Sequence, residues 1–294
     1  MRICRTPEEM RSACRELKAS APGGRGLVRE LGFVPTMGAL HAGHMSLVEA
    51  ARRECGVVAA SIFVNPTQFA PGEDFAAYPR TLEEDCAKLE AAGVGVVFAP
   101  AAETMYPAGT TAFVDVGELG ERLDGASRPG HFRGVATIVA RLLNIVGPDR
   151  AYFGQKDAAQ AAVLRRMVRD LNLGVEVRVC PIVREADGLA MSSRNAYLSA
   201  EERARALVLR RALDAAEETV RAGERNASAV RAAMLAYFSD FADPQGEGLR
   251  LDYAEVVDAE SLLPVSEVRA GDLVAVAAWV GRTRLIDNFL VGVG

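Results

Sequence analysis

Short apolar runs alternate with helical segments through residue 188, and this alternation limits the chain to few folds. The runs typical of buried strands are residues 31–35, 57–64, 94–99, 151–153 and 175–180. Segments with helical character lie between them. Strands separated by helices pair in parallel through right-handed crossovers. The pattern therefore predicts an open α/β sheet with helices on its faces.

Cap residues mark where the helices begin. Thr6, Pro7 and Glu9 have the order of an N-cap, a proline in the first turn and a capping-box glutamate. Thr81 and Glu84 repeat the capping-box spacing before a helix that Gly93 ends. Leu47, Val48 and Ala51 mark the apolar face of another helix, which Gly56 ends, and further helices are expected around residues 135–146 and 158–171.

The pattern changes after residue 188. Ser199 and Glu202 predict the start of a helix that runs to about residue 222, and a second helix follows at 227–238. A polar turn at 243–248 precedes strands at 251–257, 273–280 and 284–291. Since 294 residues favour about two domains, we expect a parallel-sheet domain at 1–188 and a smaller α+β domain at 189–294.

Composition excludes several classes of protein. Half of the residues are hydrophobic and a quarter are charged, as in globular proteins, while the net charge of -5 argues against a nucleic-acid partner. The five cysteines form no CxxC pair, which argues against disulfides and a thiolate zinc site. The amino terminus lacks an apolar signal core, and no run reaches the roughly 18 apolar residues of a membrane span. We expect a cytoplasmic protein without a membrane partner.

Two of the three histidines, His41 and His44, lie where the first predicted strand passes into its helix. Ligands of open α/β sheets bind at this edge, and a helix N-terminus attracts phosphate. The pair therefore predicts a phosphate contact in which the imidazoles donate hydrogen bonds. A zinc site is the alternative, but no nearby carboxylate or thiolate completes a ligand set.

Four other segments combine polar side chains with turn residues. Gly154–Asp157 opens a helix and contains Lys156, but read alone it is an ordinary turn with Asp157 as the cap. Residues 191–194, Met-Ser-Ser-Arg, are either a phosphate-binding loop or a polar interdomain loop. Asn65 and Gln68 follow a strand, where a turn is the default. Residues 128–134 are either a mobile lid over anions or a surface loop.

Together these segments resemble the pantothenate synthetase family. The resemblance is carried by residues 33–44, 63–69, 128–134, 152–157 and 191–195, in the order and spacing of that family, and it extends to residues 252–258. The family belongs to the nucleotidyltransferases with a HIGH-type motif. The resemblance implies a Rossmann-like α/β domain that binds ATP and pantoate, followed by the smaller α+β domain.

The resemblance implies a ligase reaction in two steps. The pantoate carboxylate attacks the α-phosphate of Mg-ATP, and β-alanine then attacks the acyl adenylate, which releases AMP. His44 is implied as the acid or charge stabiliser, with His41, Lys156 and Arg194 as further catalytic residues. The ATP-binding positions that it implies are Met37, Gly38, Ala39, Leu40, His41, Ala42, Gly43, His44, Gly154, Gln155, Lys156, Asp157, Val183, Met191, Ser192, Ser193 and Arg194.

The resemblance also implies the remaining ligands. Gln68, Gln160, Asn65 and His131 match positions for pantoate and β-alanine, and Asp85 and Asp124 are candidates for Mg²⁺. Asp124 departs from the glutamate of the family, and Gln155 stands where many relatives carry glutamate. The resemblance implies no organic prosthetic group. It implies that the protein is a homodimer.

Other functions remain as alternatives. A different nucleotidyltransferase with the same motif would transfer a nucleotide to a phosphate; Gln68 and Gln160 argue against it because neutral amides suit hydroxyl and carboxylate groups. An inactive nucleotide-binding module conflicts with the retention of both histidines, Lys156 and Arg194. An aminoacyl-tRNA synthetase conflicts with the acidic charge.

Overall fold

The computed structural model describes residues 1–20, 30–70, 73, 75–239 and 248–292. By their backbone contacts, two compact units form: residues 1–154 with 163–180, and residues 155–162 with 181–294. The expected domain boundary at residue 188 stays a prediction. Most of the predicted polar turn, residues 243–247, lies outside the described residues.

A parallel sheet organises the first unit. Its strands, as far as the chain is described, are β1 (Arg2–Cys4), β2 (Leu31–Thr36), β3 (Val57–Ile62), β4 (Val96–Phe98), β5 (Arg150–Gly154) and β6 (Glu176–Cys180). They lie in the order β1-β4-β3-β2-β5-β6, and every neighbouring pair is parallel. The predicted α/β sheet, Rossmann-like in character, is therefore confirmed.

Helices cover both faces of this sheet. They are α1 (Pro7–Ser20), α2 (Ala42–Glu54), α3 (Leu82–Ala91), α4 (Ala102–Met105), α5 (Asp124–Ser127), α6 (His131–Val146) and α7 (Ala158–Asp170). On one face Leu47 and Val48 of α2 and Leu89 of α3 pack with Val34 and Val58 of the strands. Helices α1 and α6 contact each other and the sheet. Alternating side chains on each strand serve the two faces.

The second unit has its own core. Helices α8 (Ala200–Arg221) and α9 (Ala227–Ser239) pack on strands β7 (Leu249–Val257), β8 (Leu273–Val280) and β9 (Thr283–Leu290). The strands form an antiparallel sheet in the order β7-β8-β9. Leu209, Leu213 and Met234 of the helices are buried with Val256 and Val276 of the strands. The smaller α+β domain is confirmed.

Strand β1 and the cap of α3 differ from the sequence interpretation. β1 was not predicted, because three residues are too few to show a period; it forms the edge of the sheet beside β4. The Thr81 capping box is wrong, because the Thr81 side chain makes no cap hydrogen bond and instead donates to Asp85 Oδ2 at 3.1 Å. No described helix is long and apolar enough to cross a membrane.

Helix α6 begins at His131, four residues before the predicted start. The predicted loop 128–134 is therefore partly helical. The sequence did not predict this first turn of α6 as helix, because Gly134 lies in it and glycine is a poor helix former. A Cβ at Gly134 would lie 2.3 Å from the carbonyl oxygen of Thr67, so the packing of α6 against the segment after β3 requires glycine there.

Gly134→Ala is expected to destabilise the protein although alanine is normally the better helix former. The added methyl group would overlap backbone atoms, which should lower the free energy of unfolding by at least about 2 kcal/mol. Gly174→Ala is the matched control, because a Cβ there has no atom within 4 Å. Urea unfolding of both variants tests this, and equal midpoints would contradict the packing argument.

Candidate active site

The order of the strands places a switch point between β2 and β5. From β2 the chain proceeds to β3 and β4 on one side, while β5 and β6 lie on the other. Ligands of open α/β sheets bind outside the carboxyl ends of the strands at such a point. Met37 is the first residue beyond β2, and Gly154 is the last residue of β5. Both belong to the predicted ATP site.

The turn that follows β2 is held from α3. Gly38 and Ala39 both have positive φ, at 88° and 51°. This conformation disfavours alanine. Asp85 compensates because its two oxygens accept the backbone N–H groups of Ala39 and Leu40, both at 2.8 Å. Lys88 donates to the Leu40 carbonyl at 2.8 Å. Helix α3 therefore fixes the residues that lead into the histidine pair.

His41 and His44 cap the N-terminus of α2 with their side chains. His41 Nδ1 accepts the Gly43 N–H at 3.1 Å, and His44 Nδ1 accepts the His41 N–H at 3.4 Å. Since Nδ1 is the acceptor in both rings, the neutral imidazoles carry their proton on Nε2. The ring centroids are 4.1 Å apart. The two rings therefore lie close together at a helix N-terminus and each carries an Nε2–H donor, which is an arrangement suited to phosphate.

The two metal candidates, Asp85 and Asp124, are both buried, and Asp85 is already hydrogen-bonded within the protein. Asp85 is fully buried, and its oxygens already accept two backbone N–H groups and the Thr81 hydroxyl. Asp124 is buried as the first residue of the short helix α5. The described part of the chain contains no cluster of three or more His, Cys, Asp or Glu side chains that could hold a metal ion. We infer that Asp85 holds the turn after β2.

Asn65 orients Gln68. Asn65 is 1% exposed, and its Nδ2 donates to Gln68 Oε1 at 3.1 Å and to the Gly134 carbonyl at 3.2 Å. Its Oδ1 accepts the hydroxyls of Thr67 and Tyr106. Gln68 Nε2 in turn donates to Met37 Sδ at 3.0 Å. These contacts suit Asn65 to positioning, with the Gln68 amide at the end of the chain of hydrogen bonds.

His131 and Arg128 hold the backbone of Gln68. The Gln68 carbonyl oxygen lies 2.8 Å from His131 Nδ1, and it also accepts a hydrogen bond from Arg128 Nη2 at 3.3 Å. A carbonyl only accepts, so His131 carries its proton on Nδ1 and its Nε2 accepts from Arg128 Nη1 at 3.1 Å. Arg128 also pairs with Glu73 through two hydrogen bonds, at 2.7 and 2.6 Å. Both ring nitrogens of His131 are thus engaged within the protein.

This environment keeps His131 neutral. Burial, with the Arg128 charge second, lowers the pKa of His131 from 6.5 to about 4. Burial alone would raise the pKa of Glu73, but the hydrogen bonds and charge of Arg128 hold that pKa below its usual value. The cluster therefore combines an ion pair with a neutral imidazole of defined tautomer.

The stability of the protein is expected to depend on pH through His131. The His131 imidazole takes up a proton near pH 6.5 in the unfolded state but only near pH 4 in the folded state. The contribution of the neutral imidazole to the free energy of unfolding is therefore fully present above pH 6.5 and is lost as the pH falls toward 4. Between pH 7 and pH 5 the loss is about 2 kcal/mol. His131→Asn should reduce this slope, as measured by urea unfolding at both pH values. Parallel pH profiles for the two proteins would show that His131 does not titrate in this way.

In the second unit, the segment that presents Lys156 is attached to β9. Residues Gln155–Asp157 form a 3₁₀ turn before α7. Asn288 of β9 donates to the carbonyls of Gln155 and Lys156, and it accepts from Gln155 Nε2. Lys156 Nζ lies 3.6 Å from Asp157 Oδ1. Gln160 is half-buried in the first turns of α7. Asn288 was not singled out from the sequence; a polar pair within an apolar strand was the available signal.

The other candidate loop of this unit is also held by short-range contacts. Met191 donates its N–H to the Val183 carbonyl at 3.0 Å, and Arg184 bridges to Ala190. Ser192 caps the 3₁₀ turn Ser193–Tyr197 by accepting the Arg194 N–H at 3.3 Å. The predicted residues 183 and 191–194 are therefore brought together in one hairpin-like loop.

Comparison with known proteins gives the family. The family model described as pantoate-beta-alanine ligase matches residues 2–290. The chain is 60% identical to the pantothenate synthetase of Acidobacterium capsulatum, over 99% of this chain and 97% of that protein. It is 52% identical to that of Koribacter versatilis, over 99% and 96% of the two chains.

Solved structures agree with this assignment. Pantothenate synthetase from Thermus thermophilus superposes with a TM-score of 0.88 at 49% identity, over 99% of both chains. Pantoate-beta-alanine ligase from Francisella tularensis, complexed with beta-gamma ATP and beta-alanine, gives a TM-score of 0.75 at 32% identity over 100% of this chain and 99% of that chain. The fold, the match over nearly the whole sequence and these identities show that the chain is an enzyme of the pantoate–β-alanine ligase family.

Proposed function

We propose that this enzyme condenses pantoate with β-alanine at the expense of ATP. The pantoate carboxylate attacks the α-phosphate, which gives pantoyl adenylate and pyrophosphate. The β-alanine amine then attacks the acyl carbon and displaces AMP, so that pantothenate forms. The observation that carries this proposal is the pair of Nε2–H donors at the N-terminus of α2, in a chain of this family.

The side chains act by positioning and by charge stabilisation. No covalent nucleophile is required, because the substrate carboxylate and amine attack. His41 and His44 donate to phosphate oxygens as negative charge develops, with His44 as the principal donor or acid. Lys156 and Arg194 neutralise phosphate charge, and Ser192 and Ser193 donate hydrogen bonds. Donors that are already in place need no reorganisation during the reaction.

Neutral amides serve the other substrates. Gln68, whose Oε1 is held by Asn65, donates through Nε2 to pantoate, and Gln160 contacts the same substrate. Asn65 and His131 act through Gln68, as their contacts with its side chain and backbone indicate. The backbone of Val183 contacts the adenine, and residues 37–44 and 154–157 are assigned to nucleotide binding.

Mg²⁺ enters as part of the substrate. The ion prefers phosphate oxygens and water to a cage of protein ligands. We propose that the ATP phosphates bring the metal, with Asp85 and Asp124 as the candidates for a protein contact to it. The enzyme needs no organic prosthetic group. It acts in the cytoplasm, as a homodimer.

The test is an assay for products. Protein, ATP, Mg²⁺, pantoate and β-alanine should give AMP and pyrophosphate, and turnover should stop when either acid or amine is omitted. Pyrophosphate release with pantoate alone should be limited to about one equivalent of enzyme. Steady formation of ADP, or of a dinucleotide product, would refute the proposal, the latter in favour of another nucleotidyltransferase.

A further inference from the structure

Two polar residues interrupt the apolar sequence of β9. Asp287 and Asn288 are both 3% exposed, among buried apolar neighbours of the second unit. Buried polar groups are costly unless they are hydrogen-bonded. The contacts of these two side chains therefore show what the interruption serves.

Asn288 uses its whole amide on the segment that contains Lys156. Its Nδ2 donates to the Gln155 carbonyl at 3.1 Å and to the Lys156 carbonyl at 2.9 Å. Its Oδ1 accepts from Gln155 Nε2 at 2.9 Å. Because carbonyl oxygens only accept, Nδ2 must face them, and the orientation of the amide is determined.

These bonds restrain both peptide groups that flank Lys156. The Gln155 carbonyl belongs to the peptide before Lys156, and the Lys156 carbonyl belongs to the peptide after it. Each peptide group is planar, so holding both restricts φ and ψ of the residue between them. The direction of the Lys156 Cα–Cβ bond is thereby set from β9. Lys156 Nζ itself lies 3.6 Å from Asp157 Oδ1, which is too long for a hydrogen bond.

Asp287 supports this arrangement from the adjacent position. Its Oδ1 accepts the Asn288 N–H at 2.8 Å. Arg184 donates to both Asp287 oxygens, at 2.7 and 3.0 Å. A bidentate pair of this kind is geometrically specific. The backbone of β9 at Asn288 is therefore held as well as its side chain.

We propose that Asn288 is a positioning residue for Lys156: it acts through the two carbonyls that flank the lysine and sets where the ammonium group meets the nucleotide phosphates. The inference rests on the proposed function, because Lys156 is assigned there to ATP. Asn288 itself does not contact the substrate in this proposal.

The experiment measures pyrophosphate release from ATP and pantoate in a single turnover, without β-alanine. Asn288→Ala removes all three hydrogen bonds. Asn288→Asp keeps an oxygen that can accept from Gln155 Nε2. Its second oxygen replaces the Nδ2 donor and faces the Gln155 and Lys156 carbonyls, to which it cannot donate. Misplacement of a reacting group by about 1 Å can cost roughly 100-fold in rate, so we expect both variants to be slower by about 10- to 100-fold. The KM for pantoate should change little.

A double-mutant cycle with Lys156→Ala separates positioning from general loosening. If Asn288 acts through the lysine, Asn288→Ala should slow the Lys156→Ala enzyme by no more than about twofold. Asp252→Asn is the control for stability. It breaks the partly buried ion pair between Arg284 of β9 and Asp252 of β7, in the same sheet. It should lower the melting temperature while leaving the rate near that of the wild type.

Three results would overturn the inference. One is a wild-type rate in Asn288→Ala, and another is an undiminished effect of that substitution in the Lys156→Ala background. The third is an equal loss of rate in Asp252→Asn at equal loss of stability. Absence of pantoate-dependent pyrophosphate release in the wild-type enzyme would instead overturn the proposed function.

Discussion

His44→Ala is expected to slow adenylate formation by roughly 10²–10³-fold, equivalent to about 3–4 kcal/mol, because one preorganised donor to the developing phosphate charge is lost. The backbone contact of His44 supports this role. Its Nδ1 accepts the His41 N–H, which leaves the proton on Nε2. Burst measurements of pyrophosphate release, with ATP and pantoate in excess over enzyme, give the rate.

A second substitution separates catalysis from the cap of α2. His44 is the third residue of α2, where glutamine can also accept the N-cap N–H. His44→Gln should therefore retain stability but show a rate as low as that of the alanine variant, because the imidazole is gone. Glu202→Ala removes the equivalent capping group from α8 and should leave the rate unchanged. Wild-type turnover in His44→Gln would exclude the imidazole from the mechanism.

Lys156→Ala is expected to have an effect of similar size, roughly 10²–10³-fold on pyrophosphate release. The ammonium group compensates phosphate charge in the transition state. Its side chain is 21% exposed and lies 3.6 Å from Asp157, a long and partly exposed pairing that contributes little to folding. The free energy of unfolding should therefore stay within about 0.5 kcal/mol of the wild-type value.

Lys18→Ala is the control for loss of a partly exposed lysine. Lys18 pairs with Asp149 at 2.7 Å and belongs to no predicted site. Its removal should leave both the rate and the KM for ATP unchanged. Lys156→Ala, in contrast, should raise the ATP requirement more than the pantoate requirement. A larger rise in the pantoate requirement than in the ATP requirement would contradict the assignment of Lys156 to the nucleotide.

The parallel sheet and the antiparallel unit were predictable because they depend on local periodicity. The apolar runs 31–35 and 57–64 became β2 and β3 with small changes at their ends. The failures have local causes too. Gly134 weakened the helical signal where α6 begins, since glycine is there to admit the Thr67 backbone rather than to end a helix. Strand β1, at three residues, was too short for any pattern.

The sequence by itself determined the fold class, the family and the identity of the candidate residues, because motif order and strand–helix alternation are properties of the chain alone. Only the tertiary structure decided how those residues are held. Asp85 is 46 residues from Ala39, and Asn288 is 132 residues from Lys156, yet each pair is joined by hydrogen bonds. Such partners have no local signature, since a buried carboxylate or amide finds its donors and acceptors only after the elements that carry them have packed. The tautomers of His44 and His131 follow from the same contacts, and with them the direction in which each imidazole donates its proton.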